Sequence, residues 1–192
     1  MNEQEIIKGL LEKDEKAFRE VVETFRKNVY HTCFGFVHNK QDAEDIAQDV
    51  FIELYRSVTK FRGDSKLSTW VYRICVNKSL NHIRKHKNSK LLLPIEMLFS
   101  GVKDDENRTE ITEPSTPENS FEHKEMKKVL HQAIDSLPEN QRTAFTLSKF
   151  EDLSYIETAK VMETSLSAVE SLIHRAKLGL QKKLLKYKKS SL

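Results

Sequence analysis

The chain has 192 residues, 32 Lys+Arg against 29 Asp+Glu, and a formal net charge of +3. A charged fraction of 32% beside a hydrophobic fraction of 38% is polar for a globular chain, yet too apolar for a wholly disordered one. Only five Gly and four Pro argue against a turn-rich sandwich or barrel and leave little material for a glycine-rich phosphate loop. No apolar run reaches the length of a membrane span, and Met1-Asn2-Glu3-Gln4-Glu5 lacks the basic-then-apolar layout of a secretory signal. A cytoplasmic chain without membrane insertion is the expectation.

Apolar spacing close to 3.6 predicts helices over residues 3–86. Asp14 is placed to cap a helix carrying Ala17, Phe18, Val21, Val22 and Phe25. A second segment, with Val29, Tyr30, Cys33, Phe36 and Val37, stops near Asn39. Asp42 then starts a third helix, with Asp45 in the reciprocal capping position and a stripe of Ala43, Ile46, Ala47, Val50, Leu54 and Val58. The loop Phe61–Lys66 leads into a fourth helix of about twenty residues, buried through Leu67, Trp70, Val71, Ile74 and Ile83.

Periodicity fails after Lys87. Residues 88–122 hold Pro94, Pro114, Pro117, Asp104-Asp105-Glu106 and one apolar patch around Leu91–Phe99, and read as a flexible acidic linker. Residues 123–187 are helical again. Met126, Val129, Leu130, Ala133, Ile134 and Leu137 form one stripe, Pro138 opens the next helix, and Ser154 with Glu157 makes a capping box. After a break at Glu163-Thr164-Ser165, Ser165 or Ser167 caps a last helix running to about Lys186. The fold class is therefore all-α: two small helical domains, 1–87 and 123–192, joined by the 88–122 linker.

The small net charge conceals blocks. Residues 1–55 carry −5, 56–90 carry +9, 91–123 carry −6 and 124–192 carry +5. Two basic blocks of this density suggest contact with a polyanion. In the second, a short helix, a tight break and a longer basic helix make a helix-turn-helix pattern. Val169, Ile173 and Ala176 face its core, which leaves Glu170, Ser171, His174, Arg175 and Lys177–Leu178 outward, where Ser, His and Arg can reach base edges and phosphates. Seven basic residues and no acid lie between Arg175 and Lys189, a tail suited to phosphate.

In the first basic block, Phe61, Arg62, Lys66, Trp70, Tyr72, Arg73, Lys78, Arg84 and Lys85 interleave aromatics with cations, and Asn77 and Asn81 lie one turn apart. Aromatics stack on unpaired bases while cations follow the backbone, so single-strand capture is physically reasonable, with core packing the stronger role for Trp70. On the third helix, Asp45, Gln48, Asp49 and Arg56 lie opposite the apolar stripe with Ile52 among them, a docking spot for a basic protein. Cys33 and Cys75 read as reduced buried thiols. His82 and His86 have the i,i+4 spacing of a metal pair but no third ligand in the sequence around them, so neither metal nor cofactor is expected.

These residues resemble a known family. Asp42-Ala43-Glu44-Asp45-Ile46-Ala47-Gln48-Asp49-Val50-Phe51 is similar to the polymerase-binding segment of bacterial sigma factors. Phe61-Arg62-Gly63-Asp64-Ser65 with Thr69-Trp70-Val71-Tyr72-Arg73-Ile74 resembles their start-proximal promoter-reading segment, and Leu137–Arg142 with Leu153–Ala159 resembles their C-terminal domain. The layout, over roughly residues 10–186, is similar to the extracytoplasmic-function (ECF) subgroup. The resemblance implies a non-enzymatic promoter-specificity factor that binds core RNA polymerase, through its β′ clamp and β subunits, and promoter DNA, with an anti-sigma factor as a further partner. It implies that Asp45, Gln48, Asp49, Ile52 and Arg56 meet the polymerase. Phe61, Arg62, Asp64, Ser65, Lys66, Trp70, Tyr72, Arg73, Asn77, Lys78, Asn81 and Arg84 would hold the melted −10 element, and Ser167, Ser171, His174, Arg175 and Lys177 would read the −35 element. The pattern departs at Glu163, where the family's turn has Gly, and at Glu170 and Leu172 in the reading helix, which leaves the −35 preference open. Two other classes stand beside it. A DNA-binding regulator acting without polymerase gives the 42–56 and 61–86 segments no task. A nuclease would have to use the dense carboxylates of 42–49, away from the basic blocks.

Overall fold

The computed structural model describes residues 2–61, 63–91 and 117–190. Eight α-helices and one 3₁₀ turn account for most of them, with no strand among the described residues. They fall into two compact units, divided at residues 109 and 110.

The first unit holds α1 (Glu3–Leu11), α2 (Glu15–Val37), α3 (Lys40–Ser57), the 3₁₀ turn Val58–Lys60 and α4 (Leu67–Leu91). Asn2 and Glu5 close a capping box on α1, and Asp14 caps α2 by accepting from the Lys16 and Ala17 amides at 3.1 and 3.3 Å. The α1–α2 turn is tight. Lys13 takes a positive φ of 58°, and a Cβ on Gly9 would come within 2.6 Å of the Ala17 Cβ. Only glycine therefore lets the two helices approach there.

The core sits between α2, α3 and α4, around the fully buried Val21, Cys33, Ala43, Val50, Leu54 and Cys75. Each of the buried Val and Leu side chains contributes about 1.5–3 kcal/mol by leaving water, and truncating Leu54 to Ala costs about 2–5 kcal/mol because a cavity remains. Two polar links pin the unit over long sequence separations. The Glu3 carboxylate accepts the Leu67 amide at 2.6 Å, so α1 caps the start of α4. The Asn28 Nδ2 donates to the Tyr72 hydroxyl at 3.2 Å, tying α2 to α4.

The second unit holds α5 (Pro117–Asp135), α6 (Glu139–Lys149), α7 (Tyr155–Val161) and α8 (Leu166–Ser190). Ala133, Ile134 and Leu137 pack on Ala176 and Leu180 of α8. Ala144 and Ala159 pack on Val169 and Ile173, so α8 is shared by both small clusters. Ser154 and Glu157 close the anticipated capping box on α7.

Several boundaries differ from the sequence reading. The two segments expected over 14–39 are one helix, because the polar run Glu23–Asn28 falls mainly on its outer side and does not interrupt the buried stripe. His38 ends that helix at φ 55°, and Asn39, not Asp42, caps α3 by accepting the Asp42 amide at 3.0 Å. Helix α4 runs four residues past Lys87, and α5 starts at Pro117 rather than after 122. A proline in the first helical position loses no hydrogen bond, so Pro117 marks a helix start. Met126 is 56% exposed and lies off the α5 stripe it was assigned to. The remainder of the expected linker, with its patch from Leu92 to Phe99, lies outside the described residues, as does Arg62.

Candidate functional site

Helix α3 is apolar on one side only. Ala43, Ile46, Val50 and Leu54 are at most 3% exposed, which turns Asp45, Gln48, Asp49, Ile52 and Arg56 into solvent along one stripe. Ile52 is 47% exposed and Tyr55, one turn further, 39%. The Tyr55 ring packs edge-on against Phe18 at 5.1 Å, which fixes it beside Ile52. Sequence reasoning missed Tyr55, although its i+3 spacing from Ile52 was visible. An aliphatic and an aromatic side chain ringed by Asp45, Gln48 and Asp49 suit a basic protein surface with an apolar centre.

On the neighbouring side, Glu53 accepts from Lys78 of α4 at 3.0 Å. That hydrogen bond, and then the Lys78 charge itself, hold the Glu53 carboxyl below its usual range. Lys78 is thereby engaged at the α3–α4 seam.

The other residues assigned to strand capture divide in two. Phe61 and Trp70 are half-buried, with ring centroids 5.0 Å apart, and form an aromatic pair at the root of the 61–66 loop. Asp64 and Lys66 are exposed, and Ser65 is partly so. Gly63 takes φ 77°, a turn conformation that glycine adopts without strain. Along α4, Asn77, Asn81 and Arg84 are exposed on one side, with Arg84 donating to the Asn81 side-chain oxygen at 3.1 Å. Arg73 is half-buried. Tyr72 is 8% exposed with its hydroxyl turned to Asn28, so its ring belongs to the interior.

The first turn of α3 also meets the far part of α4. Asp42, His82 and His86 bring one ligand-capable atom each to within 4.8 Å of one another. The third group that the sequence around the histidine pair lacks is supplied by the fold, from forty residues earlier.

In the second unit, α7, a four-residue turn and α8 form a helix-turn-helix. The turn is a Schellman motif: the Thr164 amide donates to the Ala159 carbonyl at 3.0 Å and the Glu163 amide to the Lys160 carbonyl at 3.4 Å. Glu163 sits at its left-handed position with φ 52°. The Ser165 hydroxyl accepts the Ala168 amide at 3.2 Å, which settles the cap of α8 on Ser165. With Val169, Ile173 and Ala176 buried to 1% or less, Ser167, Ser171, His174, Arg175 and Lys177 are all exposed. Arg175 donates its Nε to the Ser171 carbonyl at 3.2 Å, which aligns its guanidinium along the helix.

Arg142, inside the Leu137–Arg142 motif, has another task. It is 5% exposed and donates to Asp135 at 2.6 Å, linking α6 to the end of α5. Burial pushes its guanidinium below its usual value, against the favourable charge of Asp135. The motif residue helps hold the second unit together.

Fold and surfaces define the class first: among the described residues, an all-helical, two-unit protein with a helix-turn-helix in one unit and an exposed stripe of apolar and charged side chains on the other. Residues 21–89 match the family profile for Sigma-70 region 2, and residues 127–180 that for Sigma-70, region 4. The RNA polymerase sigma-H factor of Pseudomonas aeruginosa is 35% identical over 189 residues, covering 95% of this chain and 93% of that one. The ECF RNA polymerase sigma factor SigW of Bacillus subtilis is 31% identical over 182 residues, covering 93% and 94%. Among solved structures, CnrH in complex with the cytosolic domain of CnrY superposes with a TM-score of 0.65 at 20% identity, covering 95% of this chain and 96% of that one. The sigma factor RpoE of Bartonella quintana, in complex with the anti-sigma factor NepR, gives 0.60 at 20% identity, covering 88% and 97%. The chain belongs to the sigma-70 family of RNA polymerase sigma factors, in its ECF group. It is a promoter-specificity factor that binds core RNA polymerase and promoter DNA in transcription initiation, and it is not an enzyme. Among the described residues no helix is long and apolar enough to cross a membrane.

Proposed function

We propose that the first unit docks on the β′ clamp of core polymerase through Asp45, Gln48, Asp49, Ile52 and Arg56, with Tyr55 extending the contact. The observation that carries this is the α3 stripe itself, where Ile52 is 47% exposed among acids. The 61–66 loop and Asn77, Asn81 and Arg84 then hold the unpaired −10 strand, with the Phe61–Trp70 pair as the platform under the loop. Tyr72 and Lys78 act by fixing α4 to α2 and α3. Ser167, Ser171, His174, Arg175 and Lys177 read the −35 element in the major groove, while the lysines near the end of α8 grip phosphate. The chain works in the cytoplasm, where core polymerase and promoter are found. The two solved neighbours carry bound partners, one of them a named anti-sigma factor. That supports an anti-sigma protein as a partner here too.

Transcription from a random promoter library tests the assignment. Core polymerase with this chain should enrich a two-element promoter, and core polymerase alone should not. Enrichment that persists unchanged with Asp49→Arg would refute docking through α3. Equal loss on every promoter with Arg175→Ala would make Arg175 a phosphate contact and not a base reader.

A further inference from the structure

We propose that Asp42, His82 and His86 form a binding site for one divalent transition-metal ion of the Zn²⁺ class, clamping the start of α3 to the far part of α4. The three groups converge from two helices, with one ligand-capable atom from each lying within 4.8 Å of the others. His82 and His86 stand one turn apart on α4, their rings 4.3 Å apart. The His82 Nε2 is buried and makes no hydrogen bond, although the Asp42 carboxylate oxygen is 3.5 Å away.

That separation is long for a hydrogen bond and right for a shared ion. Two donors 3.5 Å apart, each about 2.1 Å from one metal, subtend about 113° at it, close to the tetrahedral angle of about 109°. His86 is the exposed member and has room to close the remaining distance. Two imidazoles and one carboxylate favour Zn²⁺, Co²⁺ or Ni²⁺ over Mg²⁺ or Ca²⁺, which take oxygen ligands. Three protein ligands leave a fourth position for water.

The site lies where α4 needs support. Val76 and Leu80 are buried, but Arg84 to Lys87 are exposed. Asn81 and Arg84 alternate with His82 and His86 along this stretch, so a bound ion orders the turn from which they project. The proposal rests on the geometry of the three ligands and stands apart from the assigned strand contacts.

The test uses the full-length reduced chain without a polyhistidine tag. Calorimetric titration with Zn²⁺ should show one ion per chain, and Co²⁺ should give the intense visible absorption of tetrahedral coordination. His86→Gln, at an exposed position that leaves the fold intact by circular dichroism, and Asp42→Asn should each weaken Zn²⁺ binding at least about tenfold, since loss of even an outer partner costs that much. His31→Gln, outside the cluster, should leave it unchanged. Amide exchange over residues 82–87 should slow with Zn²⁺ in the wild type and in His31→Gln, and not in the two ligand variants. Absence of one-to-one binding, affinity kept in both ligand variants, or only the weak absorption of octahedral Co²⁺ would each overturn the site and leave a plain His82–Asp42 pair.

Discussion

Glu163 occupies the left-handed position of the α7–α8 turn, with φ 52° and both Schellman hydrogen bonds made. A side chain in that conformation costs about 1–2 kcal/mol through Cβ crowding. Glycine removes the crowding but loses about 0.5–1 kcal/mol to its freer unfolded chain. The balance favours glycine by about 0.5–1 kcal/mol. The Glu163 carboxylate is exposed and engaged with its surroundings, so its own loss, up to about 1 kcal/mol, has to be separated out. Comparing Glu163→Gly with Glu163→Ala does this, because both lack the carboxylate and only alanine keeps the strain. Calorimetric unfolding of the full chain, with amide exchange on α7 to assign the second unit's transition, should place the glycine variant about 2–8 °C above the alanine variant. A glycine variant no more stable than the alanine one would refute the claim that the turn stores strain.

The remaining expectations concern single contacts. Ile52→Ala should leave stability within about 0.5 kcal/mol. It should weaken core-polymerase binding about five- to tenfold, since half of three methylene-sized groups at about 0.8 kcal/mol each is lost to docking; an unchanged Kd in a fluorescence titration would remove Ile52 from the interface. Asp135→Asn leaves the 5%-exposed Arg142 without its carboxylate and should cost about 1.5–3 kcal/mol in urea unfolding; a cost below about 0.5 kcal/mol would show that other groups hold Arg142. The Glu53 carboxyl is depressed in the folded chain by Lys78, so its contribution is present above the unfolded carboxyl value and is lost as pH falls through the lower folded one. With 41% of its side chain exposed, the effect is about 1 kcal/mol at most. Denaturant midpoints at pH 7 and at about 3.5 should therefore differ less in Glu53→Gln than in the wild type; equal differences would show that the pair contributes nothing.

Much of the fold could be read from local rules. The 3.6-residue apolar stripes of α3 and α8, the Asp14 cap and the Ser154–Glu157 box are each decided within a few residues, and all appear in the structure. What failed depended on neighbours distant in the chain. The polar run in α2 looked like a break because its buried side, Val21 to Val29, is seen only once α3 and α4 cover it. Asn39 became a cap because His38 had already turned out of the helix, a backbone event with no side-chain signature. The stripe of Asp45, Gln48, Asp49 and Ile52 was visible as the complement of an apolar face. Tyr72 and Arg142 were legible as motif residues, but their partners, Asn28 and Asp135, follow from packing. The third group beside His82 and His86 likewise required two helices to be laid together.

Cys33 and Cys75 are the chain's two cysteines, both have 0% exposure, and both belong to the first unit. A thiol reagent can reach them only when that unit opens, and nothing in the second unit reacts. The rate of alkylation in native buffer is therefore a built-in clock for opening of the first unit alone. Slower labelling on adding core polymerase, promoter or Zn²⁺ would register which ligand steadies that unit, with no dye or engineered residue introduced.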